Sequence, residues 1–362
     1  MNKQLNMSFL SDELKEAKTH KKEFLEQINR IMPWGDFTEL VEPYYYEEGR
    51  RGNQPYALRL MLRIYVLQNC YDLGDDATHD EVIDSRAFSD FCEVQSSNQV
   101  PDGDTIGRFR NILIKNGIQE KFFALIVKKL MEEKLILKKG TIVDSTFIEA
   151  PSSTKNREKK RDPDGKSGKK GNTWHFGYKA HIGVDKDSGI VHTVEVTGAN
   201  ESNVNMTPKL MNGEEEGLWG DAGYVGAEKR EDVPKNNKNG KRIRFHINRR
   251  KSSSKNKSKR SQGQIRRRER EKSSVRCKVE HVFGLVKKKL RYRKTRYRGL
   301  EKLKAKVNMM FALVNLIIAA WRRAVAALLS ALKKRRKRVW NTTFEKSIGQ
   351  WVRISALCGI AL

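Results

Sequence analysis

Residues 141–148, TIVDSTFI, decide how this chain is read, because they set a carboxylate, Asp144, inside a β-branched run. A run of this kind forms a strand. A charge within it is costly unless it has work or a partner. C-terminal to it, a polar loop rich in Lys, Asp and Gly covers residues 152–172. Two more strands are expected at 178–184 and 190–196, joined by Asp185-Lys186-Asp187-Ser188-Gly189. That joint is hairpin turn chemistry, a reading that outweighs a metal site for its two aspartates. A helix over 203–211 follows, then a short strand at 218–221 running into Gly223-Tyr224, then a strand at 242–247. A basic stretch leads from there into a helix ending near Leu290. Strands alternating with helices in this order predict an α/β domain over residues 141–326.

N-terminal to the aspartate the pattern is helical, and residues 1–140 are expected to form a separate helical domain. Residues 56–68 carry Leu, Met and Arg with apolar side chains at helical intervals. Short helices are expected at 79–84 and 85–92. Pro101-Asp102-Gly103-Asp104-Thr105 is a sharper start signal, with Asp104 or Thr105 as the N-cap. In the helix that follows, Ile106, Phe109 and Leu113 share one face while Arg108 and Lys115 point elsewhere, and Gly117 ends it. A further helix spans 119–134. Short helices with exposed arginines such as Arg108 suit a helix-turn-helix variant on DNA, and equally a helical packing domain.

Charge narrows the partners. Lys and Arg number 73 against 44 Asp and Glu, a net +29, which points to a polyanion. The excess is uneven. Residues 235–272 hold 17 basic and 2 acidic residues, a local +15, so about half the net charge lies in one stretch. Within it, RRKSSSKNKSKRSQGQIRRREREK (249–272), which opens on Arg249 and Arg250, is expected to begin as a mobile loop that orders on DNA and to end as the start of the following helix. Its contacts would be sequence-independent and salt-sensitive.

The cysteines, Cys70, Cys92, Cys277 and Cys358, include no pair at zinc-ligand spacing and suggest no disulfide framework, so a reducing cytosol is the expected setting. The N-terminal segment lacks the apolar core of a signal peptide. The longest apolar run, MMFALVNLIIAA (309–320), is shorter than a bilayer span and is closed by Arg322 and Arg323. It reads as a buried helix within 301–326, with no membrane partner. The tail, residues 327–362 with KKRRKR at 333–338, matches nothing before it in character, and its last part, residues 340–362, is expected to be dispensable.

Three acids stand out by placement: Asp144 inside its strand, Asp221 at the end of one, where functional groups of α/β sheets gather, and Glu280 on an amphipathic helix. Val275, Val279, Val282, Phe283, Val286 and Leu290 form that helix's apolar face. Arg276, Glu280 and Lys287, spaced by four and seven, are expected on one stripe beside it. Three carboxylates on separate elements suit Mg²⁺, which uses few protein carboxylates and leaves positions for water and phosphate. Two such ions about 3.5–4 Å apart serve phosphodiester chemistry by stabilising attacking and leaving oxygens together. Singly, each acid has a blander explanation as a buried carboxylate, a turn residue or half of an intrahelical ion pair.

The segments IVDSTFIEAP, TWHFGYKAHIGVDKDSGIVHTVEVTGAN, GDAGYVG and VRCKVEHVFGLVK resemble the DDE transposases of bacterial insertion sequences, with the insertion-sequence-five group as the nearest branch. The likeness covers roughly residues 20–320. The family's three acids fall on Asp144, Asp221 and Glu280, implied to be both catalytic and metal-binding. Its third motif, a Tyr, Arg, Glu and Lys at fixed spacing, matches Arg276, Glu280 and Lys287, with Ser273 in the Tyr position. The resemblance implies a ribonuclease-H-like catalytic core, Mg²⁺ with Mn²⁺ as substitute, and binding to terminal inverted repeats and target DNA. It also implies a homodimer or higher oligomer on DNA, in a bacterial cytoplasm near the nucleoid. Within TWHFGYKAH, Lys179 and His181 are candidate phosphate or base-flap contacts, and Trp174 could stack on an unpaired base or pack in the core. Two competing classes are a ribonuclease-H-like nuclease or resolvase that cuts without joining, and a non-enzymatic DNA-binding relic or repressor.

Overall fold

The computed structural model describes residues 19–46, 54–155, 160–249 and 259–357, with side-chain surroundings to residue 332. The chain divides into two compact units, residues 1–317 and 318–362. The helical and sheet-bearing regions expected to be separate domains therefore belong to one unit.

Seven helices open the described chain: α1 (His20–Ile31), α2 (Trp34–Val41), α3 (Leu58–Tyr71), α4 (Asp75–Asp84), α5 (Arg86–Cys92), α6 (Gly103–Lys115) and α7 (Ile118–Glu132). α3 is their axis. Every residue from Met61 to Cys70 is buried, Arg63, Gln68 and Asn69 included. Those polar groups find partners, Arg63 donating to the Phe91 carbonyl (2.7 Å) and pairing with Glu93 (2.8 Å). The cap of α6 is neither Asp104 nor Thr105. Asp102 accepts from the Thr105 amide (2.6 Å), so the helix begins two or three residues earlier than the sequence suggests.

The sheet has six strands: β1 (Gly140–Glu149), β2 (Lys166–Lys170), β3 (Thr173–Asp185), β4 (Val191–Gly198), β5 (Gly217–Gly220) and β6 (Arg244–Ile247). β1 lies between an antiparallel β3 and a parallel β5, and β6 adds in parallel beyond β5. β2 and β4 both pair antiparallel with β3, on successive halves of its length. The turn after β3 forms as its sequence demands. Asp185 is buried and accepts from the amides of Leu137, Lys138, Asp187 and Ser188 and from the Ser188 hydroxyl, so it is turn chemistry.

Helices cover both faces. On one face Val143 and Leu218 join Met206 and Leu210, the latter from the short α8 (Thr207–Leu210), in an apolar cluster. The other face carries α9 (Lys259–Gly284) and the first part of α10 (Leu300–Leu357). There Val307, Met310 and Phe311 line a cleft with Thr146, Ile148 and Ala180 of β1 and β3. Between Gly284 and α10 the chain passes through a π-helical turn, Leu285–Lys289.

By length and composition alone, Leu300–Leu332 would cross a membrane. Within the first unit, however, Leu303, Val307, Met309, Met310, Phe311, Leu313, Val314 and Ile317 are buried in protein. Each such side chain contributes about 1.5–3 kcal/mol by leaving water, which is what a core helix does. In the second unit Trp321, Val325, Leu328, Leu329 and Leu332 are exposed. The tail from residue 333 lies beyond the described side chains.

Candidate active site

The parallel ladder fixes the site. Val143 pairs with Gly220, and Gly220 with Ile247, in the last registered steps of β1, β5 and β6. The next residue on each strand is Asp144, Asp221 and Asn248. Three polar side chains thus stand in a row across the carboxyl ends of the shorter parallel strands. Side chains alternate along a strand, so Asp144 shares the α9–α10 face with Thr146 and Ile148.

Asp144 is nearly enclosed, its side chain 13% exposed. Burial, and then the charge of Asp221, push its carboxyl up to about 6, while the Ser145 amide (2.8 Å) and Arg276 pull the other way. Arg276 Nη2 lies 3.5 Å from Asp144 Oδ2. Its Nη1 donates to Asn248 Oδ1 (3.3 Å). Asn248 Nδ2 in turn donates to Glu269 (2.8 Å), which also accepts from the Arg249 amide (3.0 Å) and from Lys272 (2.9 Å). The strand end, the following loop and two turns of α9 are stitched together through one asparagine. Asn248 was not singled out in the sequence, and its only signal is being the first polar residue after RFHI.

The GDAGY segment is explained atom by atom. Asp221 Oδ1 accepts from the Gly223 amide (2.9 Å), which aims the carboxylate. A Cβ on Gly223 would stand 3.0 Å from that oxygen, and one on Gly220 would stand 3.1 Å from the Cβ of Tyr224. Tyr224 itself is fully buried.

Glu280 is on α9, one turn beyond Arg276, and is exposed. The structure brings Asp144, Asp221 and Arg276 together but leaves Glu280 out. Among the described residues no three His, Cys, Asp or Glu side chains stand close enough to hold an ion. The two aspartates alone still fit a divalent cation. Both are hard oxygen donors, they repel one another, and Mg²⁺ asks for few protein carboxylates. Lys287 lies in the π turn, so its seven-residue spacing from Glu280 is not that of a regular helix. Its half-buried stem lines the cleft with Thr146 and Met310.

Two expected DNA contacts are corrected. Lys179 and His181 pair across β1 with Phe147 and Ser145, so they occupy the sheet face opposite Asp144. His181 is fully buried against Thr197 (2.9 Å), and burial lowers its pKa to about 4. Lys179 donates to the Glu201 carbonyl (2.6 Å) and packs over Phe147. Trp174 is 67% exposed, on the part of β3 that runs past the end of β1, with Lys169 paired beside it. Arg108 and Arg249 are exposed. Arg250 lies outside the described residues.

At the ends of the parallel strands a nearly enclosed Asp144 and a half-exposed Asp221 stand beside a guanidinium, with a basic helix running past, an arrangement suited to phosphodiester chemistry. The family described as the transposase DDE domain matches residues 136–316, half of the chain. A second, described as a transposase domain, matches residues 12–111. The chain belongs to the DDE transposases, DNA-cleaving enzymes that generally use divalent metals. No solved structure matches it.

Proposed function

We propose that this protein is the transposase of an insertion sequence, of the insertion-sequence-five group, with a ribonuclease-H-like catalytic core. It binds the element's terminal inverted repeats as a homodimer or higher oligomer, cleaves the strand at the element's end and joins the freed 3′-hydroxyl to target DNA. The observation that carries this reading is the adjacency of Asp144 and Asp221 beside Arg276. The sheet order supports the core, with β1 flanked by an antiparallel hairpin strand on one side and two parallel strands on the other.

Asp144 and Asp221 would hold Mg²⁺, with Mn²⁺ as substitute, and Glu280 would complete the set from α9. Bound there, the metal supplies an activated water or hydroxyl and a counter-charge for the leaving oxygen. The chain's own residues do the rest. Arg276 offsets the charge of the acid pair and neutralises a phosphate beside it. Arg249 and the basic residues of α9 (Arg260, Arg266, Arg267, Arg268 and Arg270) track the DNA backbone, with Arg108 contributing from the N-terminal helices. Trp174 stacks on a base freed from the duplex.

The test is a cleavage and strand-transfer assay on DNA carrying the element's own ends with Mg²⁺, comparing wild type, Asp144→Asn and Glu280→Gln. Cutting and joining that both variants lose supports the reading. Cutting without joining makes the protein a nuclease. Binding without cutting, alike in all three, makes it a DNA-binding relic.

A further inference from the structure

We infer that the Tyr224 hydroxyl is a positioning group for the Asp144–Asp221 pair, engaged when a divalent cation is bound there; this rests on the cation reading above. The ring of Tyr224 is packed in the cluster of Val143, Met206, Leu210, Leu218 and Ile243. Its hydroxyl is buried and has no hydrogen-bond partner. The charges of Asp144, Asp221 and Arg276 nevertheless all reach it. Arg276 Nε is a second buried donor without a partner.

A buried hydroxyl with nothing to bond to destabilises a fold, and a phenylalanine of the same shape avoids the cost. The orphaned group therefore points to a state of the site in which an acceptor faces it. Cation binding creates one. It requires both carboxylates to be ionised, and each carboxylate has more lone pairs than one cation uses. Asp221 Oδ1 is already held by the Gly223 amide (2.9 Å). A neutral donor from below, where Tyr224 sits, fixes a remaining oxygen. Outer hydrogen bonds of this kind orient ligating carboxylates and tune metal affinity.

The experiment uses full-length wild type, Tyr224→Phe and Asp144→Asn, with Mg²⁺ alone as the probe. Binding is read by calorimetric titration, and stability by melting with chelator or with Mg²⁺. Wild type should bind Mg²⁺ and Asp144→Asn should not. Tyr224→Phe should melt about 1–3 °C above wild type in chelator, because the orphaned hydroxyl is gone. Its Mg²⁺ affinity should fall about tenfold, and its Mg²⁺-induced rise in melting temperature should be smaller. Wild-type affinity in Tyr224→Phe would overturn the inference and leave the cation reading standing. So would a variant that melts well below wild type in chelator, since the hydroxyl would then have a partner in the metal-free fold. If wild type itself binds no Mg²⁺ that Asp144→Asn abolishes, the cation reading fails and takes this inference with it.

Discussion

Asp144 and Asp221 stand at the same step of the sheet, each one residue past the last registered pair of β1 and β5, Val143 and Gly220. Strand geometry alone therefore forces two carboxylates into neighbouring positions. The energetic result is visible in Asp144, whose carboxyl is raised to about 6 by burial and by its neighbour's charge.

That shift makes the metal-free protein less stable at neutral pH. The unfolded aspartate titrates near 3.9, so the folded state binds this proton more tightly. The group costs nothing below about pH 4, and the loss grows as pH rises through 6. By pH 7.5 it amounts to at most about 3 kcal/mol. In chelator, Asp144→Asn should melt above wild type at pH 7.5 and close to it at pH 4.5. A wild-type melting temperature that climbs from pH 4.5 to 7.5 while the variant's stays flat would contradict this.

Asn248 holds Arg276 on Asp144 while tying Glu269 to the loop. Replacing it by alanine should reduce strand cleavage about 10–100-fold, with binding to end DNA within about twofold of wild type. A single-turnover cleavage assay beside a filter-binding titration separates the two effects. Normal cleavage would mean that Arg276 needs no such support.

Trp174 and His181, both expected as DNA contacts on β3, should now separate cleanly. Trp174→Ala should weaken binding to single-stranded DNA about tenfold, in line with about 1–3 kcal/mol per stacked base, without moving the melting temperature. His181→Ala should do the reverse, lowering the melting temperature and leaving DNA affinity alone. A gel-shift series read against thermal melts would reveal any exchange of these roles.

Lys306 is buried, 3.3 Å from Asp72, where α10 meets the loop after α3. Burial lowers its pKa and Asp72 supports its charge. Asp72→Ala strands that cation and should destabilise the protein by about 3–5 kcal/mol. Lys306→Met removes the cation with little change in volume and should cost far less. Denaturant midpoints for the two variants would decide, and equal losses would argue against a stranded charge.

Much of this was legible in the sequence for physical reasons. β1 declares itself by β-branching, the β3–β4 turn by its aspartates and glycine, and Asp221 by a strand end followed by two small residues. Other features carry no such signal. β2 is KSGKK, which no propensity marks as a strand; it exists because β3 extends past β1 and offers it an edge. The face chosen by Lys179 and His181 depends on a register that only pairing with β1 sets. Nor does the composition change near residue 140 reveal that the N-terminal helices and the sheet fall within one compact unit.

The wide turn at Leu285–Lys289 has a consequence for anyone comparing this helix with others. Counting residues along a gene and counting degrees around a helix axis are two rulers. In a regular helix one residue is worth about 100°, but across this turn the bonds close five residues apart instead of four. The two rulers then disagree by up to one notch. A spacing preserved letter for letter can thus deliver its lysine to a different compass bearing, and deleting one residue from the turn would swing everything after it.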